Sequence, residues 1–246
     1  MSTGIWSAAS GAVAQTAALD VAANNVANAT TPGFRAETAI FRQTLVKAVN
    51  GTAGSRSQRF AVSRTTSPDF RSGQIISTGR KLDVALPDNR GLFAIATPGG
   101  ERFTRAGSFR LAVDGTLTTS DGLAVLGTNH RPVQVPPNAA NVEISADGSL
   151  LVDGQPSGAA VGVFAFDNPA GLEKEGELLL RARGEAGPVR AHTQLLEPGS
   201  LEQSNANAVS SMTNLVNTSR QFEMVTRVID AFSQIERKTA TDIMGR

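Results

Sequence analysis

Cysteine and tyrosine are absent from the 246 residues, and histidine occurs only at His130 and His192. Without thiols there can be no disulfide, no thiolate metal site and no cysteine nucleophile. Neither charge sign is in excess: 23 Lys and Arg stand against 22 Asp and Glu. A nucleic acid or an anionic membrane surface therefore gains no electrostatic footing as the main partner. Long apolar runs are also missing. Gln15, Asp20, Asn24 and Asn25 break the N-terminal stretch well before the roughly 20 apolar residues that span a bilayer. The same stretch lacks the basic start and processing site of a cleaved secretory signal, so neither membrane insertion nor a cleaved leader is expected.

Catalytic residue types are equally thin. His130 and His192 lie far apart in loop-like contexts, with no His-x-x-His spacing for zinc. No Gly-x-Ser-x-Gly elbow supports a Ser-His-Asp arrangement. Asp-Gly pairs are frequent, but none belongs to an Asp-x-Asp-x-Asp-Gly calcium loop. No catalytic residue, metal site or cofactor is assigned, and an enzyme is not expected.

The two ends of the chain are patterned as helices. Residues 1–34 carry one charge, Asp20, and are rich in Ala, Ser, Thr and Asn. Ile5, Ala12, Leu19 and Val26 recur every seven residues and define one stripe, flanked by small alanines that permit close approach of a second helix. Asn28 to Gly33 then stops the helix, because Pro32 cannot continue it and Gly33 permits a turn. Towards the C-terminus Leu215, Phe222 and Ile229 stand seven apart, with Val225 and Phe232 three residues after the last two. This spacing is the seam of a coiled coil.

Between these ends the period changes. Residues 36–48 read as a further helix, and 50–58 as a flexible loop. From about Arg59 the period is two, with short runs at 82–86, 92–97, 108–113, 123–126, 142–145 and 161–166. Asp-Gly pairs at 114–115, 121–122, 147–148 and 153–154 are hairpin chemistry. Arg102, Arg105 and Arg110 read as one basic, solvated strand face. The expected class is α+β, with N- and C-terminal helices pairing as a coiled-coil-like domain around an all-β middle domain. The expected boundaries are an N-terminal helix at 1–34, a helix or linker at 35–59, the β domain at 60–197 and the C-terminal helix at 198–246.

Three separated motifs resemble one family. Asn24-Asn25-Val26-Ala27-Asn28-Ala29-Thr30-Thr31-Pro32-Gly33-Phe34 is similar to the N-terminal signature of flagellar axial proteins, the rod and hook subunits. Ser204-Asn205, followed by Arg220-Gln221-Phe222-Glu223-Met224, resembles their C-terminal signature. Gly73 to Leu86 and Phe103 to Phe109 resemble the rod pattern between them. One departure is local: a Gly-x-Gly-Phe-Phe strand start is replaced by Asn89-Arg90-Gly91-Leu92-Phe93.

This resemblance implies a structural subunit that polymerises with itself and with other rod subunits. It also implies passage through the flagellar type III export apparatus and residence in the periplasmic rod of the basal body. The short segment 50–58, free of proline, favours the proximal-rod type; the alternative is the distal-rod type or another, hook-type axial protein. The expected assembly interface is Ile5, Leu19, Val26, Leu215, Phe222, Ile229 and Phe232. A rival reading from another class is a secreted β-domain binding module or adhesin whose site is the arginine face at 102–110.

Overall fold

A computed structural model describes residues 3–46, 59–136, 139, 141–187, 189–191 and 195–244. Two helices bracket the chain, α1 at Thr3–Ala27 and α2 at Ala208–Met244. Between them run, in order, strands β1 (Glu37–Val46), β2 (Arg59–Pro68), β3 (Ile75–Ser77), β4 (Val84–Ala85), β5 (Leu92–Thr97) and β6 (Gly100–Thr104). They continue with β7 (Phe109–Leu111), β8 (Leu117–Thr119), β9 (Val142–Ile144), β10 (Ser149–Val152), β11 (Gln155–Ala160) and β12 (Val163–Phe166). The series closes with β13 (Leu172–Glu175), β14 (Leu179–Ala182), β15 (Val189–Ala191), β16 (Glu197–Pro198) and β17 (Ser200–Glu202). The class is α+β. No helix among the described residues is long and apolar enough to cross a membrane.

The chain divides into two compact units. The first gathers Met1–Val26, Glu37–Thr66 and Ala208–Arg246. It holds the two helices and the two-stranded sheet β1–β2. Here the structure corrects the sequence reading, because residues 37–46 are extended and not helical. Thr38, Ile40, Thr44 and Val46 are β-branched and fall on alternate positions, a pattern that suits a pleated strand and crowds a helix.

The second unit, Ala27–Ala36 with Ser67–Asn207, is almost entirely β. Its main sheet has the order β13-β14-β6-β5-β12-β15. Central β5 is buried on both faces, and its period of two divides the interior. Phe93 and Ile95 enter one core with Val84, Phe109, Leu117 and Leu150, whereas Leu92 and Ala94 enter another with Phe103, Phe164 and Leu180. Edge-to-face ring pairs lock each core, Phe93 on Phe109 at 5.2 Å and Phe103 on Phe166 at 4.7 Å between centroids. The Asp-Gly turns fall where their chemistry places them. At the β10–β11 hairpin Asp153 and Gly154 have φ of 50° and 80°, the two positive values that a two-residue hairpin turn requires.

The C-terminal helix begins later than the expected boundary at 198. Residues 200–202 form β17, antiparallel to β3, with Glu202 opposite Ile75. The helix starts only at Ala208, after Ser204 Oγ has accepted the Ala206 N–H at 3.1 Å. That short strand fixes the position of Glu202.

Candidate functional site

The residues that leave α1 and those that enter α2 meet in the β unit. After α1, the Asn28 carbonyl accepts the Thr31 N–H at 3.2 Å and its Oδ1 accepts the Thr31 hydroxyl at 3.1 Å. Phe34 N–H then bonds the Thr31 carbonyl at 3.2 Å, closing a compact turn. Within the helical unit, Asn25 bonds the backbone of Glu37 twice, accepting its N–H at 2.9 Å and donating to its carbonyl at 2.8 Å. A side-chain amide thereby acts as one rung of a backbone ladder.

Gly33 is required by geometry. Its φ is +74°, and a Cβ there would lie 2.3 Å from the Ala106 backbone nitrogen. The absence of a side chain lets its N–H reach the Glu202 carbonyl at 2.7 Å. Gly73 is a second close approach, since a Cβ would stand 1.9 Å from the Gln203 carbonyl oxygen. Phe34 is fully buried beside Gly33, with the Lys174 ammonium 3.8 Å from its ring centroid.

Glu202 is the centre of the arrangement. Its Oε1 lies 2.8 Å from Arg35 Nη1 and accepts the Gly73 N–H at 2.8 Å. Its Oε2 accepts from Arg105 Nε at 2.7 Å and Nη2 at 2.6 Å. All three side chains are at most 4% exposed. Arg105 also donates to the carbonyls of Gly91 at 2.6 Å and Leu86 at 2.9 Å, and to that of Asp88. Arg35 Nη1 also donates to the Arg71 carbonyl. Desolvation pulls the Arg35 guanidinium below its ordinary pKa; Glu202 opposes that pull and Arg105 reinforces it. Two buried cations thus share one buried anion; the partly exposed Asp88 carboxylate also lies 3.8 Å from Arg105 Nη1, so removing Glu202 would strand Arg35 and leave Arg105 only that longer contact.

Asn205 ties the remaining strands together. Its Oδ1 accepts the Ala36 N–H at 2.7 Å, and its Nδ2 donates to the carbonyls of Asp69 and Arg71 at 2.8 Å each. Four chain segments, 33–36, 69–73, 105 and 202–205, therefore converge on one joint.

The signature residues separate into two groups. Gly33, Phe34, Ser204 and Asn205 lie in or next to the joint, and buried Asn28 shapes the turn leading to it. Asn24 and Asn25 end α1, whereas Phe222, Glu223 and Met224 lie along α2, half-buried, exposed and exposed respectively. Of the expected interface residues, Leu19, Val26, Leu215, Phe222, Ile229 and Phe232 are all half-buried in the single chain. The side chain of Ile5 lies outside the described residues, as does His192.

Sequence reasoning missed Arg35, Arg105 and Glu202 as one cluster. The signal was present: Arg35 is the first charge after Asp20, and Glu202 is the last before α2. The solvated arginine face is corrected as well. Arg102 and Arg105 are buried, Arg102 paired with Glu175 at 3.0 Å, and only Arg110 is exposed. A binding module that depends on that face loses its site. His130 rests on the Phe164 ring, with Nδ1 2.9 Å from Glu101 Oε1.

Three family models match the chain: "Flagella basal body rod protein" at residues 5–35, "Flagellar hook protein FlgE/F/G D1 domain" at 88–152 and "Flagellar basal body rod FlgEFG protein C-terminal" at 197–242. The chain is 34% identical over 224 residues to the flagellar basal-body rod protein FlgF of Mesorhizobium japonicum, covering 91% of this chain and 90% of that one. It is 29% identical over 228 residues to FlgF of Caulobacter vibrioides, covering 93% and 92%. It is 32% identical over 238 residues to the rod protein FlgG of Bacillus subtilis, covering 88% and 90%.

Proposed function

The chain belongs to the flagellar basal-body rod protein family, a structural subunit and not an enzyme, and from that premise we propose that it builds the proximal rod. In this reading the subunit leaves the cytoplasm through the flagellar type III apparatus without a cleaved signal. It polymerises in the periplasmic rod through α1 and α2, which pair as a coiled-coil-like layer, and transmits torque for motility. The absence of cysteine suits an oxidising compartment. The sparse charge of residues 1–34 suits dense helix packing, where each unpaired charge would be costly.

The observation that carries the reading is the joint at Glu202. Two signatures some 170 residues apart in the chain converge on it, so the segments that lead into both polymerising helices share one anchor in the β unit.

The distal-rod type is the second reading, favoured by relatives of that type at similar identity. Electron microscopy of basal bodies from cells lacking this chain separates the two. A rod truncated at its base supports the proximal position, a rod truncated farther out supports the distal one, and an intact rod with normal motility removes both.

A further inference from the structure

Between Phe222 and Ile235, α2 carries two apolar rows. The first, Phe222, Val225, Ile229 and Phe232, is half-buried within the chain's own helical unit. The second, Met224, Val228, Ala231 and Ile235, is exposed, with its three large members 46–60% accessible. Its spacings of four, three and four repeat the seam pattern, displaced by one residue from 225, 229 and 232. A helix with two adjacent seams has one left over after it packs on a single neighbour.

α1 presents a matching row. Val13, Thr16, Asp20 and Ala23 are spaced three, four and three apart, and all are exposed, Val13 by 44%. Small side chains make this row a set of holes for bulky knobs. The Thr16 hydroxyl already donates to the Ala12 carbonyl at 2.8 Å, so covering it strands no donor. Asp20, the one charge in this region, lies on this row. The second seam of α2 is bordered at helical spacing by the exposed Arg220 and Arg227, the latter held only by a surface contact to Glu223 at 3.9 Å. Shape and charge are therefore complementary, yet both rows are uncovered within one chain.

We infer that the Val13–Ala23 row of α1 in one copy docks on the Met224–Ile235 seam of α2 in a second copy, with Asp20 against Arg220 or Arg227. The inference rests on the rod-subunit reading and specifies which surfaces meet between copies.

The chain's lack of cysteine gives a clean background for the test. Two full-length forms with different tags are produced in the same flagellated cells, one carrying Val228→Cys and the other Thr16→Cys or Ala23→Cys. On oxidation the mixed dimer is expected to exceed either homodimer by at least tenfold in one of the two pairings. A Val228→Cys homodimer as the main product, or motile cells with no mixed dimer in either pairing, overturns the docking. Motility reports assembly whichever rows meet, so motile cells without the cross-link leave the rod function standing. If the cysteine forms fail to assemble, charge reversal decides. Asp20→Arg is expected to reduce motility at least tenfold, with recovery on adding Arg220→Asp or Arg227→Asp; recovery with neither overturns the proposal.

Discussion

Arg35 Nη1 lies 2.8 Å from Glu202 Oε1, with both side chains sealed from solvent. The contact joins the turn after α1 to the strand that precedes α2. Glu202 also carries Arg105, so its loss strands the buried Arg35 guanidinium and leaves Arg105 with only the Asp88 carboxylate at 3.8 Å. Glu202→Ala is expected to cost about 3–5 kcal/mol of stability, read as a fall in the urea midpoint of the full chain. An unchanged midpoint would show that the cluster tolerates an uncompensated positive charge.

Two glycines with similar backbone angles should respond differently. Gly33 (φ +74°) has the Ala106 backbone 2.3 Å from a would-be Cβ, whereas Gly154 (φ +80°) has open space. Gly154→Ala bears only the left-handed backbone cost, about 1–2 kcal/mol. Gly33→Ala adds a backbone collision and is expected to cost roughly 2–5 kcal/mol. Thermal unfolding of the two variants side by side checks the order; equal losses would remove the close-approach argument.

How much of this was legible in the sequence depends on the range of the cause. The Asp-Gly hairpins and the run 92–97 were readable because turn chemistry and period two are local. Residues 37–46 misled because Glu37, Ala39, Gln43 and Leu45 suit a helix, while the alternating Thr38, Ile40, Thr44 and Val46 decide for a strand. The joint was half legible: its glycine, phenylalanine and asparagine lie inside recognisable signatures. Its ionic centre was not. Arg35, Arg105 and Glu202 are separated by 97 or more positions between Glu202 and either arginine, and no spacing rule connects charges that only the folded strands bring together.

Acid should loosen the β unit in a defined window. The Arg71 side chain holds Asp69 below the ordinary carboxylate range, and the Arg181 side chain does the same for Glu173. The Thr116 backbone N–H lowers Asp114, and the Ser149 hydroxyl lowers Asp147. Because the folded values lie below the unfolded ones, their stabilisation is fully present above about pH 4–5 and is lost as pH falls through the depressed values. Urea midpoints are expected to be flat between pH 5 and 7 within about 10% and to fall below about pH 4. A midpoint that rises on acidification would contradict this assignment.

The claim that the chain works by polymerising through its terminal helices is tested most directly by Phe222→Asp. Phe222 lies on the half-buried row of α2 and far along the chain from the joint, so the β unit should keep its structure. The measurement is rod assembly and swimming in cells whose only copy carries the substitution, with circular dichroism of the purified chain reporting the strands. The account predicts no rod beyond this subunit's position, no swimming and an unchanged β signal; motile cells with intact rods would contradict it.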